Sequence, residues 1–240
     1  MTEKTALVTG GARRIGRAIV NHLAQTGWHV AIHCNTSKSK GRELVKELES
    51  MFPVRNFRVF TADLGKEAEA TSLVEDVVSE MGALDMLVNN ASVFDPGIIR
   101  KTTPELFDQQ MNINLKAPFF LTRDFANRCR KGVIVNLLDT RIRSNSNTHA
   151  AYSLSKKAFA DFTLMAALEL GPHIRVNGIA PGATLPPKGQ GKEYLVEIAS
   201  RTPMGVLGGV KPILQSLDYI LENQNLTGQI LYCDGGRQLL

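Results

Sequence analysis

The chain is poor in the residues that make covalent or metal staples. Its 240 residues include three cysteines, Cys34, Cys129 and Cys233, and none stands in a CxxC pair. That spacing predicts free thiols in a reducing compartment and argues against a disulfide framework or a structural zinc. No window approaches ~18 consecutive apolar residues, so no membrane-spanning helix and no membrane partner is expected. The start, MTEKTALVTGG, carries only a short apolar run before its glycines. It lacks the pattern of a secretory signal, and a cytoplasmic protein is expected. Repeats, low-complexity tracts and linker-like stretches are also missing, which predicts one domain over residues 1–240. Neither sign of charge dominates: 28 basic against 23 acidic residues leave a net charge of +5, and the basic side chains are scattered. A nucleic-acid partner is therefore not expected, and an anionic cofactor accounts for part of the excess. With 43% hydrophobic and 21% charged residues, the composition fits a globular domain large enough to fold without staples.

What is present is alternation. Apolar runs suited to strands occur at 5–9, 29–34, 57–61, 84–89, 133–138, 174–179 and 229–233, and stretches with helical spacing lie between them. In the first of these, Ile15, Ile19, His22 and Leu23 fall on one face. The stretch 104–130 predicts two helices, broken near 112–118 by asparagines and Pro118. Short buried strands alternating with helices predict a parallel sheet covered on both faces, and right-handed crossovers make it a doubly wound α/β fold of the Rossmann type, here with seven strands. One region breaks the rhythm. Residues 183–210 hold Pro186, Pro187, Gly189, Gly191, Pro203, Gly205, Gly208 and Gly209, and this predicts a long loop acting as a lid where ligands bind such sheets.

The first strand runs into TGGARRIG, residues 9–16. This is not a GxGxxG fingerprint. Gly10 and Gly11 nevertheless permit a tight turn, Gly16 permits close helix–sheet packing, and the helix N-terminus offers free N–H groups to a pyrophosphate. At the end of the second strand, where an NAD site carries an acid for the ribose 2′-hydroxyl, the sequence reads HCNTSKSK and the first acid is Glu43. Hydroxyls and cations there, with Arg13 and Ser37 weighted most, suit a 2′-phosphate and point to NADP(H). Farther on, Tyr152 and Lys156 stand one helical turn apart on one face. A lysine cation beside the phenol would lower its pKa and make it a usable general acid.

These pieces, in this order, resemble a short-chain dehydrogenase/reductase over nearly the whole chain. TGGARRIG resembles the family's cofactor turn, Asp63-Leu64 its adenine contact, and Asn89-Asn90-Ala91 the segment beside the cofactor. Asn114 resembles the active-site asparagine, which would order a relay water. YSLSK resembles the Tyr–Lys motif, IAPGAT the nicotinamide-side segment, and Asp234-Gly235-Gly236 the C-terminal end. The resemblance implies NADPH held by Gly10, Arg13, Arg14, Ile15, Asn35, Ser37, Asp63, Leu64, Asn90, Ala91, Ser92, Lys156, Pro181, Gly182 and Thr184. It also implies a homotetramer.

Three positions depart from the general family pattern together. Arg14 replaces the middle glycine of the turn, Ser92 the glycine of NNAG, and Asp139 the catalytic serine thirteen residues before Tyr152. A serine donates to a substrate carbonyl, whereas an ionised aspartate only accepts. It suits a substrate presenting N–H donors or a ring nitrogen that gains a proton. Thr140 and Ser144 are the alternative hydroxyls, and Thr140 would point to the opposite face if the strand continues. The same departures resemble the pteridine reductase and dihydromonapterin reductase branch of the family. That resemblance implies catalysis by Asp139, Tyr152, Lys156 and Asn114, and a pterin or folate substrate contacted by Arg14, Ser92, Phe94, Asp139 and Tyr152. Phe94 would stack on the pterin ring. Two rival readings stay open: a carbonyl reductase of the 3-oxoacyl-carrier-protein type, and a non-enzymatic NADP-binding sensor.

Overall fold

The computed structural model describes residues 4–145, 147–186 and 189–240. Seven strands form one parallel sheet in the order β3-β2-β1-β4-β5-β6-β7. They are β1 (Thr5–Val8), β2 (His29–Cys34), β3 (Phe57–Thr61), β4 (Met86–Asn89), β5 (Gly132–Leu137), β6 (Ile174–Pro181) and β7 (Ile230–Cys233). The helices are α1 (Arg14–Gln25), α2 (Lys38–Met51), α3 (Glu67–Met81), α4 (Pro104–Met111), α5 (Ala117–Arg128), α6 (Ala150–Leu170), α7 (Lys192–Ser200) and α8 (Lys211–Glu222). This is the doubly wound arrangement the alternation predicts.

Period-two alternation sorts the strand side chains between two cores. Ala6, Val8, Met86, Val88, Val133 and Val135 join Ile19, Leu23, Leu44, Leu48, Ile213 and Leu217, which come from α1, α2 and α8. Leu7, Leu87 and Ile134 face the other way, onto Leu73, Val77, Leu121, Phe125 and Ala167 of α3, α5 and α6. Because both faces of the sheet are covered, the strands read as nearly continuous apolar runs. All three cysteines are free, with Cys34 and Cys129 buried. Among the described residues no helix is long and apolar enough to cross a membrane.

Residues 104–130 hold the two expected helices, α4 and α5, interrupted where expected. The interruption is a π-helical segment, Asn112–Lys116, which joins α4 to α5 without ending the helical run. Pro118 sits in the first turn of α5, where a missing N–H costs little, so it does not end the run. The expectation of a loop throughout 183–210 needs correction, since α7 lies inside it. Tyr194, Leu195, Ile198 and Ala199 form its inward face, a helical spacing hidden in the sequence by the prolines and glycines on either side.

The strand order reverses between β1 and β4, which opens a crevice at their C-terminal ends. Hydrogen bonds tie the two segments together at its base. Thr9 Oγ1 accepts from the backbone N–H groups of Asn90 and Ala91 at 2.9 and 3.0 Å, and Asn90 Nδ2 donates to the Thr9 carbonyl at 2.7 Å. A Cβ on Gly16 would lie 2.2 Å from the Gly10 carbonyl oxygen and 2.6 Å from Asn90 Nδ2. Gly16→Ala is therefore expected to destabilise the protein by ~3 kcal/mol, the upper range for overpacking a fixed backbone. Urea unfolding followed by circular dichroism measures this; a loss under ~1 kcal/mol contradicts the described packing.

Candidate active site

The glycine turn leaves β1 with Gly10 at φ +63°. Its N–H donates to Nδ1 of His33 at 3.2 Å, and His33 Nε2 meets the Ala62 carbonyl at 3.0 Å. The network thus assigns the proton to Nε2, and burial lowers the pKa of His33 below its usual value. Arg14 follows at φ +51°, the left-handed region that a β-carbon makes costly by roughly 1 kcal/mol or more. This explains the glycine expected there. Here Arg14 Nη2 reaches across to the carbonyls of Leu185 and Pro186 at 3.3 and 3.1 Å, so the turn is tied to the segment after β6.

Two adjoining cavities open on this turn. The first, about 350 Å³, is lined by Gly10, Arg13, Arg14, Ile15, His33, Asn35, Asp63, Leu64, Asn90, Ala91 and Ser92, with Gly16, Val93 and Ile113. Nearly all of the expected cofactor residues on this side meet here. The second, about 310 Å³, takes in Arg14, Ile15, Asn90, Ser92, Phe94, Asp139, Tyr152, Lys156, Pro181, Gly182 and Thr184. Ser37 lines neither; it stands at the N-terminus of α2 without capping it.

Asn114 also lies outside both cavities. Its Oδ1 accepts from Ser92 Oγ and the Val93 N–H, each at 2.9 Å. Its Nδ2 faces the Val93 carbonyl, Gln110 Oε1 and Ser155 Oγ at 3.0–3.2 Å. It fastens the π-helical segment to residues 92–93 and to α6, and its polar atoms are spent on protein groups.

The second cavity centres on Asp139, which leaves β5 to cap a short 3₁₀ turn. Its Oδ1 accepts from the Arg141 N–H at 2.8 Å and its Oδ2 accepts from Tyr152 Oη at 2.7 Å. Lys156, 2% exposed, donates from Nζ to the Leu137 carbonyl at 2.7 Å and lies 6.0 Å from the centre of the Tyr152 ring. The expectation that Lys156 lowers the tyrosine's pKa is overturned. Burial, then the neighbouring Asp139 charge, push the phenol well above its usual value, so it stays protonated. Lys156 is itself lowered to about 8, chiefly by burial. Thr140, an alternative hydroxyl, donates to Asp234 Oδ2 at 2.5 Å and is committed there.

Sequence reading missed several lining residues: Arg141, Leu185, Tyr194, Ile198 and Arg237 in the second cavity, and His33 in the first. His33 carries a recognisable signal, a polar residue in an otherwise apolar strand. Arg141 and Arg237 carry none, because short 3₁₀ turns place them.

Lys156 yields a pH-dependent expectation. Its folded pKa lies below the unfolded one, so the folded state carries a cost below pH 8 that fades as pH rises from about 8 toward 10.5. Lys156→Met is expected to stabilise the protein by on the order of 3 kcal/mol at pH 7. That raises the melting temperature by several degrees at this size, and the advantage closes by about pH 10. Calorimetric melting from pH 6 to 10 tests it, and a variant that melts lower at pH 7 refutes the assignment.

A glycine turn on β1, an aspartate–tyrosine–lysine cluster and a crevice between β1 and β4 invite comparison with known dehydrogenases. The FolM alternative dihydrofolate reductase 1 from Brucella canis, solved with NADP, is 35% identical and superposes with a TM-score of 0.91, covering 99% of this chain and 95% of that one. An uncharacterised oxidoreductase of Thermotoga maritima is 33% identical over 97% of this chain and 96% of its own. A 3-oxoacyl-[acyl-carrier-protein] reductase of Staphylococcus epidermidis is 29% identical over 97% and 98%. The family model described as short chain dehydrogenase matches residues 4–193. With a match of that extent falling on this fold, the chain belongs to the short-chain dehydrogenase family, whose members are oxidoreductases.

Proposed function

We propose that this protein is an NADPH-dependent reductase that converts a dihydropterin of the monapterin, biopterin or folate type to the tetrahydro form. The observation that carries this reading is Asp139. Its carboxylate stands in the second cavity with Phe94, bonded to Tyr152 Oη, and the neighbouring Thr140 hydroxyl is committed to Asp234. A carboxylate repels a developing alkoxide and matches a ring bearing N–H groups. The likeness to the Brucella canis protein named as a dihydrofolate reductase supports the same substrate class. The 3-oxoacyl reductase relative keeps ketone reduction as the second reading.

The first cavity suits the dinucleotide. Gly10 and Gly16 let the turn pack closely against Asn90 and Ala91, and the start of α1 beside the first cavity would offer its N–H groups to a pyrophosphate. Asn35 and Arg13 line this cavity and would meet a 2′-phosphate, and Asp63 is the one acid among the described lining residues. NADPH, when bound, supplies the hydride that reduces the C6=N5 bond. The chain supplies the rest. Tyr152 and Asp139 form one proton-holding pair beside the ring, with the phenol protonated and the carboxylate accepting. A proton leaving toward N5 is then drawn from solvent through groups oriented by Asp139. Tyr152 serves N8 when an oxidised pterin is reduced at C7. Lys156 adds positive charge beneath the pair and would reach the nicotinamide ribose. Arg14 would draw residues 183–210 over the site as a lid. An exposed apolar stripe on α6, Leu164, Met165 and Leu168, supports the expected homotetramer.

Two measurements test the proposal. Asp139→Ser and Asp139→Asn should each cost at least ~10²-fold in dihydropterin reduction with NADPH affinity little changed. Full turnover by Asp139→Asn removes the chemical argument, and turnover of a ketoacyl substrate with none of any dihydropterin selects the second reading. The native protein should also use NADPH far better than NADH, and Thr36→Asp should shift it toward NADH. Equal use of both cofactors by the native protein contradicts the cofactor assignment.

A further inference from the structure

Arg141 occupies the place that the proposed substrate would take. Its guanidinium carbon stands 4.6 Å from the centre of the Phe94 ring, and its Nη1 is 3.7 Å from Asp139 Oδ2. These are the two groups that a dihydropterin needs, an aromatic face and a carboxylate. His149 also stacks on Phe94, with ring centres 4.1 Å apart. Arg141, however, lines the second cavity together with Phe94, Asp139 and Tyr152, whereas His149 does not. The guanidinium is therefore the cavity-side neighbour. Its backbone is pinned by the 2.8 Å bond from the Arg141 N–H to Asp139 Oδ1, while the side chain keeps 25% of its surface exposed and has solvent to swing into.

A guanidinium is flat, delocalised and edged with N–H donors. A fused ring bearing a cyclic guanidine has the same three properties. We infer that Arg141 is a resident occupant of the ring-binding seat, displaced only by a planar ligand that stacks on Phe94 and gives N–H donors to Asp139. This rests on the dihydropterin reading and deepens it, because the protein's own side chain states which chemistry the seat accepts. Displacement lowers the apparent affinity of every ligand needing the seat by the same factor, the fraction of molecules in which it is open. A ligand that makes only one of the two contacts starts weaker and drops out of the working range first.

The test is calorimetric titration of the NADP⁺-saturated protein with 2,4-diaminopteridine, which needs no turnover. Arg141→Ala should bind it about 3- to 10-fold more tightly than the native protein, the scale of one partly exposed cation–π contact with a loose ion pair. NADP⁺ affinity should not change. Added guanidinium ion at tens of millimolar should weaken pteridine binding to Arg141→Ala, by refilling the seat, beyond the effect of equal sodium chloride, and should not do so in the native protein. Arg141→Gln, uncharged but planar, should fall between, and it carries the test if Arg141→Ala does not fold. Unchanged or weaker pteridine binding in the variants overturns the inference. If the native protein turns over no dihydropterin while Arg141→Ala still binds the pteridine more tightly, the functional reading falls alone. If the native protein turns over dihydropterin and binding is unaltered by the substitution, the Arg141 inference falls alone. Failure of the native protein and both variants to bind the pteridine overturns both.

Discussion

Everything functional in this protein hangs on the close approach of two chain segments where β1 and β4 end. Parallel strands leave their C-terminal ends ragged, and the reversal of strand order parts the loops there. The gap is bridged by Thr9, whose hydroxyl accepts from two successive N–H groups of 90–91 and donates to the Val88 carbonyl. His33 adds a second brace from β2 by accepting from Gly10. Residues without β-carbons at 10 and 16 let the backbones meet. Hydrogen bonds that are wholly or partly buried and mutually dependent make this junction rigid, and a rigid junction is what a phosphate-binding turn requires.

Around this frame the protein keeps buried charge. Lys156 sits in the interior with the Leu137 carbonyl as hydrogen-bond acceptor, close to Asp139, and the phenol of Tyr152 is pressed against that carboxylate. Burial lowers the lysine's pKa and raises the tyrosine's. A fold selected for stability alone would not place these groups there, since an apolar residue of like size would fill the space without the desolvation cost. The strain at Arg14 belongs to the same pattern. A non-glycine residue held at φ +51° persists because its side chain gains carbonyl partners across the cleft.

The rim of the site is built from short, irregular pieces. A 3₁₀ turn after β5 carries Arg141 over Phe94, and a parallel bridge between Gly97 and His149 brings the start of α6 against the 92–98 segment. These contacts fix how Phe94 presents itself. They also mean that the aromatic face expected to receive a ligand already has cationic and aromatic neighbours of its own.

The alternation of apolar strands and amphipathic helices was legible in the residues because each strand is buried on both faces and each helix on one. All seven strand positions follow from that periodicity, with ends shifted by at most two residues. Glycines 10 and 16, and the Tyr152–Lys156 pair, were legible for a similar reason: steric need and helical spacing are local properties. Asp139 stood out by its residue type. What the sequence alone could not carry was direction and partnership. Helical spacing set Lys156 beside Tyr152, yet only the packed structure turned its amine to Leu137 and left burial and Asp139 to govern the phenol. Nothing local marked Asn114 as a staple, Pro118 as harmless beside a π-helical segment, residues 192–200 as helix among prolines and glycines, or Arg141 as the cover of Phe94. Each depends on groups distant in the chain, and such contacts exist only once the sheet has brought its edges and loops together.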